Sequence, residues 1–165
     1  GTLVFDDGMT KADFDALIQC KQVDYARLYS IEDKITGRYV PKETPWTLQD
    51  AKYDFAFPSA TQNEIDGTAA TLLVKNGTKG VFEGANLPTT LEGQEALRKD
   101  PGCIYIPGKA ANAGGVGVSG FEMSQNAQRL QWKPEEVDKK LQDMMANIYH
   151  QMIASSGEGG TLEEG

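Results

Sequence analysis

The sequence predicts an α/β layer fold in which helices flank a mostly parallel sheet. Strand signals and helix signals alternate along the chain, as they do where crossover helices join parallel strands. Three short apolar segments are each followed by a polar loop and then by a helical pattern. The length of 165 residues suits one domain, and 39% hydrophobic residues is an ordinary share for a globular protein.

The first third of the chain carries one clear helix signal. Thr10 precedes Asp13 at the spacing of a capping box, in which each side chain bonds the other residue's backbone N–H. Apolar residues then recur at helical spacing, at Phe14, Leu17 and Ile18. Residues 30–50 contain one glycine and two prolines, and we predict that they form an irregular segment on the surface.

Three strands and four helices are predicted for the rest of the chain. The strands are residues 53–57, 80–83 and 103–106. The helix after the first strand ends at a C-cap formed by Asn76 and Gly77. Its apolar stripe consists of Ile65, Ala69, Leu72 and Leu73. A short helix is expected near 90–99, a longer one near 115–130, and a last one from Pro134, a residue well suited to a first turn.

Charge and composition argue against several classes of function. The formal net charge of −8 argues against general binding of nucleic acids or anionic membranes. No segment approaches the roughly 20 apolar residues of a membrane-spanning helix, and we expect a cytoplasmic protein. Cys20, Cys103 and the one histidine, His150, form no metal-binding pattern, so we expect two buried, reduced thiols and no metal. Both ends of the sequence look cut, which suggests a piece of a longer polypeptide.

Polar loops follow all three predicted strands. If the strands are parallel, these loops lie along one edge of the sheet, where open α/β sheets bind ligands. Thr61, Asn86 and Asn112 lie in the three loops and offer hydrogen bonds suited to a ribose or a carboxamide. Asn and Thr also cap helices and turns, and that interpretation remains open for each of them.

The third loop belongs to a glycine-rich stretch, residues 107–126, that leads into a helix. Its sequence is PGKAANAGGVGVSGFEMSQN. Glycine lets the backbone approach a ligand closely, and a helix start offers unpaired N–H groups, so the stretch is typical of a small-molecule site. Glycine also serves plain turn geometry. The stretch is not a Walker P-loop, because Ala110 follows Lys109 and no glycine lies five residues before Gly108.

Three motifs in register resemble the glutamate dehydrogenase family. They are FPSATQNE at 57–64, EGANLPTT at 83–90 and GKAANAGGV at 108–116, the last followed by Ser119-Gly120 and by EMSQN at 122–126. The resemblance runs over nearly the whole chain. The EMSQN helix and Trp132 resemble the small-subunit hexameric branch most, which implies a homo-hexamer and NADP as cofactor while leaving NAD open.

The resemblance implies a function and a position in the fold. These enzymes reversibly convert 2-oxoglutarate and ammonia to L-glutamate with a nicotinamide cofactor, between a substrate domain and a Rossmann-like cofactor domain. Residues 1–165 resemble only the later part of the cofactor domain, so the substrate domain is absent from this sequence. The implied cofactor-binding residues are Ala60, Thr61, Gly84, Ala85, Asn86 and Asn112. The implied substrate-binding residues are Val116 and Ser119, the latter through its hydroxyl to the distal carboxylate.

Departures from the family pattern limit what this chain does alone. No G-x-G-x-x-G or G-x-G-x-x-A fingerprint occurs in the sequence, and nothing matches the family's catalytic lysine and aspartate. We therefore expect no catalytic residue in this chain and no turnover by it alone. Two alternatives stay open: a non-catalytic half-Rossmann binding or assembly module, and a dehydrogenase for another amino acid such as leucine or phenylalanine.

Overall fold

The computed structural model describes residues 1–50 and 52–156. The chain divides into two compact units, Gly1–Ala51 and Lys52–Gly165. Residues 157–165, the glycine-rich end of the sequence, lie outside the described residues. Both cysteines are buried free thiols, as predicted, and burial raises the pKa of the Cys103 thiol.

The first unit holds a two-stranded antiparallel sheet and one α-helix. Strand β1, Thr2–Val4, pairs with β2, Arg38–Val40, and helix α1 spans Lys11–Ile18. The irregular segment predicted for residues 30–50 is therefore wrong in part, because it contains β2. A three-residue strand beside Gly37 and Pro41 is too short to show the alternation by which strands are recognised. Three short helical turns complete the unit, at Gln19–Val23, Leu28–Lys34 and Pro45–Thr47.

The capping box at the start of α1 is confirmed, and it extends beyond the helix. The buried Asp13 carboxylate accepts hydrogen bonds from the hydroxyl and N–H of Thr10 at 2.6 and 2.8 Å. It also accepts from the N–H and hydroxyl of Thr36, at 2.7 and 2.8 Å. The Thr10 hydroxyl and the Thr36 N–H are the strongest of these influences, and together they hold the pKa of Asp13 well below its usual range. One carboxylate thus joins α1 to the segment before β2.

The second unit is built on the parallel sheet that the sequence predicts. Strands β3 (Phe55–Ala56), β4 (Gly80–Phe82) and β5 (Ile104–Ile106) lie side by side in that order, all parallel. Helix α2 (Gly67–Lys75) joins the first two strands, and α3 (Leu91–Arg98) joins the second to the third. The centre of the core is formed by Ile65, Leu73, Val81 and Leu97.

Local signals set the ends of α2. The Asp66 side chain accepts from the Ala69 N–H at 2.8 Å and so begins the helix. Ile65 was predicted to belong to the helical stripe, and this is wrong: it precedes the cap and forms an isolated parallel bridge with Thr89. At the other end the predicted C-cap is confirmed, with Asn76 as the cap and Gly77 at a φ of +85°.

Three helices follow the sheet. Helix α4, Gly108–Ala111, is one short turn that the sequence did not predict, and α5 begins directly after it and spans Ala113–Gln128. Helix α6, Pro134–Ser156, begins at the predicted proline. Helices α5 and α6 lie close together: a Cβ built on Gly114 of α5 would be 3.3 Å from the Leu141 side chain of α6. No helix in the described part of the chain has both the length and the apolar character needed to span a membrane.

Candidate functional site

Three loops meet at the carboxyl edge of the parallel sheet. We call residues 57–64, 83–90 and 107–112 the strand-end loops. The N–H of Ala85 donates to the carbonyl of Pro58 at 2.9 Å, and the N–H of Asn63 donates to the carbonyl of Leu87 at 3.0 Å. Parallel strands and direct hydrogen bonds between loops thus bear out the expectation that these loops share one edge.

The first two strand-end loops are packed too closely for a side chain at position 84. A Cβ built on Gly84 would overlap the hydroxyl of Ser59 and lie 3.1 Å from its Cβ. The Ser59 hydroxyl itself donates to the carbonyl of Phe57 at 3.0 Å. Gly84, which the resemblance places near a cofactor, therefore allows the first two strand-end loops to pack closely in this chain.

Asn112 joins the third loop to the second. Its Nδ2 donates to the carbonyl of Ala85 at 2.9 Å and to Oδ1 of Asn86 at 3.0 Å. The Asn112 side chain makes no cap hydrogen bond to α5, so the capping alternative does not account for it. Both amide hydrogens of Asn112 are used, which leaves its Oδ1 as an acceptor, while Nδ2 of Asn86 remains a donor. One acceptor beside one donor is the pair that a carboxamide ligand requires.

A cavity of about 460 Å³, whose wall carries several polar side chains, opens beside these two amides. Its wall includes Asn86, Asn112, Lys109 and Tyr105. Lys109 is exposed and lies next to the buried Gly108. The cavity has the size of small-molecule sites, and its wall carries amide, hydroxyl and ammonium groups that can orient a polar ring.

Glu83 is a buried carboxylate that sequence reasoning did not connect with this site. Its side chain is 2% exposed, and it accepts from the Tyr105 hydroxyl at 2.7 Å and from the Gly108 N–H at 2.8 Å. Its two partners lie 22 and 25 positions away, so no local spacing announces them. The signal available in the sequence was a carboxylate at the end of the predicted strand 80–83, because a carboxylate that becomes buried there requires partners.

The loop of Ala60 and Thr61 is fastened by a nearby carboxylate. The N–H groups of both residues donate to Oε1 of Glu64, at 2.9 and 3.3 Å. Because these donors are engaged, the exposed hydroxyl of Thr61 is the group that this loop offers to a ligand. The hydroxyl suits a sugar hydroxyl better than it suits a phosphate, which the Glu64 carboxylate would repel.

The residues predicted to bind substrate lie on α5, outside this hydrogen-bonded cluster. Val116 is 75% exposed, and Ser119 lies one turn further along the same exposed face. The Ser119 hydroxyl donates to the Gly115 carbonyl of its own helix at 3.3 Å. In the part of the chain that the structure describes, no hydrogen bond joins either residue to the strand-end loops. Their predicted role stays a prediction.

Comparisons with known proteins agree on a family. The family model for glutamate/leucine/phenylalanine/valine dehydrogenases matches residues 1–162. The chain is 45% identical over 159 residues to an NADP-specific glutamate dehydrogenase of Escherichia coli K12, covering 96% of this chain and 35% of that protein. It is 42% identical to the Salmonella typhimurium enzyme of the same name, covering 96% and 34%.

A solved glutamate dehydrogenase structure has a similar fold. It superposes with a TM-score of 0.80 at 36% sequence identity, covering 97% of this chain and 36% of that one. The agreement extends over almost every residue of the present sequence. The chain thus spans about a third of the length of each of these proteins.

Proposed function

Since the chain belongs to the glutamate/leucine/phenylalanine/valine dehydrogenase family, we propose that it is the later part of the cofactor domain of an NADP-dependent glutamate dehydrogenase. The whole enzyme is an oxidoreductase that interconverts L-glutamate with 2-oxoglutarate and ammonia, as a cytoplasmic homo-hexamer. The names of the relatives, which are NADP-specific, support the choice of cofactor. The substrate domain, with the groups that transfer protons, lies outside this sequence, and residues 1–165 alone have no turnover.

The observation that carries this proposal is the arrangement of Asn86 and Asn112 beside the cavity. A nicotinamide carboxamide carries N–H donors and one C=O acceptor. Oδ1 of Asn112 would accept from the carboxamide N–H, and Nδ2 of Asn86 would donate to its oxygen. Bound NADP supplies the hydride chemistry, and these side chains orient the ring that exchanges the hydride.

Gly84, Ala85 and Thr61 supply the neighbouring contacts of the cofactor. The backbone of Gly84 and Ala85 would line the nicotinamide ribose, and the Thr61 hydroxyl, beside Ala60, would bind near the ribose and pyrophosphate. The fit is partial, because the glycine-rich turn that holds a pyrophosphate is not in this sequence. The residues present therefore bind the nicotinamide end of the cofactor.

On the substrate side, α5 selects a five-carbon diacid by its length. The Ser119 hydroxyl turns from the Gly115 carbonyl to the distal carboxylate, and Val116 forms an apolar wall for the methylene groups. A leucine or phenylalanine dehydrogenase requires an apolar environment at this position, so the Ser119 hydroxyl favours glutamate over those substrates. A non-catalytic binding or assembly module remains the second candidate.

The test is reductive amination of 2-oxoglutarate by the full-length protein, with Ser119→Ala as the informative variant. We expect KM for 2-oxoglutarate to rise about 10–100-fold, because a hydrogen bond to a charged group contributes about 1.5–3 kcal/mol. KM for NADPH should not change. Ser124→Ala is the matched control, since Ser124 also donates to a carbonyl one turn earlier in α5.

Three outcomes separate the candidates. An unchanged KM for 2-oxoglutarate in Ser119→Ala refutes the assignment of Ser119. Absence of NADPH-dependent turnover in the full-length protein, with NADPH bound, favours the non-catalytic module. Turnover with 2-oxo acids that lack a second carboxylate, and none with 2-oxoglutarate, favours another amino-acid dehydrogenase of the family.

A further inference from the structure

Glu83 belongs to a closed ring of hydrogen bonds that lies beside the proposed nicotinamide site. Its carboxylate accepts from the Gly108 N–H at 2.8 Å, and the Gly108 carbonyl accepts from the Asn112 N–H at 3.0 Å. The Asn112 side chain then returns to Ala85, two residues after Glu83, at 2.9 Å. The ring therefore fixes the distance between the second and the third strand-end loops.

A second set of contacts holds the Glu83 side chain itself. Its other carboxylate oxygen accepts from the Tyr105 hydroxyl at 2.7 Å, and its backbone N–H donates to the Ile106 carbonyl at 3.1 Å. Glu83 is 2% exposed, so its carboxylate depends on hydrogen bonds from the protein. Burying a carboxylate is costly unless it is fully hydrogen-bonded, and an apolar residue would fill this position at lower cost if packing were all that mattered.

We propose that Glu83 is a positioning residue for the cofactor site: through the Gly108 N–H, it holds the Asn112 amide in the orientation that receives the nicotinamide carboxamide. Glu83 also lines the cavity, but both of its carboxylate oxygens accept hydrogen bonds from Tyr105 and Gly108, so the role proposed for it is exerted through these partners and not on the reacting atoms. The identity of the ligand in this inference rests on the proposed function. The ring of hydrogen bonds is present in the protein without a ligand.

Substitution by glutamine tests the chemistry of the ring. The Gly108 N–H can only donate, so in Glu83→Gln the oxygen of the introduced amide must face it. The amide nitrogen then faces Tyr105, whose hydroxyl can turn and accept. Glu83→Gln thus keeps both hydrogen bonds, Glu83→Ala loses both, and Glu83→Met loses both while it keeps most of the side-chain volume.

The experiment measures NADPH affinity of the full-length protein by fluorescence titration, together with the side-chain amide signals of Asn112 by NMR without ligand. We expect Glu83→Ala to weaken NADPH binding at least about tenfold and to shift the Asn112 signals. Glu83→Gln should stay within about threefold of the unsubstituted protein. Should Glu83→Ala not fold, Glu83→Met replaces it, with the same expected loss relative to Glu83→Gln.

Leu73→Ala is the control for loss of stability alone. Leu73 is 1% exposed and lies in α2, so its truncation destabilises the core without touching the ring. We expect it to leave NADPH affinity and the Asn112 signals unchanged. An equal loss of affinity in Leu73→Ala, or unmoved Asn112 signals in the variants that break the ring, would overturn the positioning role.

The two proposals fail in different ways. If the unsubstituted protein binds no NADPH, the proposed function is wrong, and the Asn112 signals alone decide whether Glu83 positions this amide. If the protein binds NADPH and every Glu83 variant binds it equally well, the proposed function stands and the role of Glu83 is refuted.

Discussion

Asn112 and Ser119 are only seven residues apart, yet their surroundings are built in opposite ways. Asn112 is held by two hydrogen bonds to the second strand-end loop, and the buried Glu83 fixes the turn before it. Ser119 lies on an exposed face of α5, and its hydroxyl donates to a carbonyl of its own helix. Helix α5 has no fully buried residue along its length.

The two regions differ in how firmly the chain itself holds their potential binding groups. The strand-end loops are preorganised by groups within the chain, so a ligand meets amides that already have fixed directions. The exposed face of α5 has rigid backbone but no structure around its side chains. We infer that the cofactor side of the proposed site is complete in this unit as far as the nicotinamide, whereas the substrate side requires another surface opposite α5.

The largest effect is expected from Gly84→Ala, which breaks the packing between two strand-end loops. The new Cβ displaces the Ser59 hydroxyl from the Phe57 carbonyl and crowds the Ser59 Cβ at 3.1 Å. Overpacking of this kind costs about 1–3 kcal/mol, measured as the free energy of unfolding in urea. Adding Ser59→Ala should recover part of this loss, because it removes the overlapping oxygen. An additive double variant would show that the two residues do not interact.

A smaller and more selective effect is expected from Gly108→Ala. A Cβ at this position would lie 2.9 Å from Nδ2 of Asn112 and 3.1 Å from the Ala85 carbonyl. The Asn112 amide can rotate away at little cost in stability, but it then loses its direction toward the cofactor. We expect NADPH affinity to fall about fivefold, the equivalent of one neutral hydrogen bond, while the unfolding midpoint changes little. The reverse pattern, lost stability with intact affinity, would contradict the preorganised site.

The smallest effect has the opposite sign and comes from α5. A Cβ on Gly120 meets nothing within 4 Å, so Gly120→Ala adds helix propensity without a clash. We expect a gain of about 0.5–1 kcal/mol in the free energy of unfolding. The same chemical change therefore destabilises the strand-end loops and stabilises α5. A loss of stability at Gly120 would mean that something covers this face of the helix.

The sequence predicts the parallel sheet and the shared loop edge because both depend on local patterns. Strand–loop–helix alternation is visible within short windows, and Asn86 and Asn112 lie in the loops that follow their strands. Strands β1 and β2 were missed because each has three residues and gains its stability from a partner more than 30 positions away. Glu83 was missed for the same reason, since its burial and both partners exist only after folding.

The amide donors of Ala60 and Thr61 show a different limit of sequence reasoning. Their position beside a predicted cofactor is consistent with backbone N–H groups that bind phosphate. The Glu64 side chain takes both donors, and this competition depends on a rotamer rather than on residue type. The same sequence motif thus contains both the donors and the anion that occupies them.

Asp13 makes the stability of the first unit sensitive to acid. Its carboxylate accepts four hydrogen bonds, and they lower its pKa in the folded state. The stabilisation is therefore complete above the ordinary carboxyl pKa of about 4 and is lost as the pH falls through the lowered value. Protonation turns one carboxylate oxygen into a donor and weakens the hydrogen bonds from both Thr10 and Thr36, so α1 and the segment before β2 should open together. Faster amide exchange at Thr36 in acid, reproduced at neutral pH by Asp13→Asn, would show that protonation of Asp13 alone opens both α1 and the segment before β2.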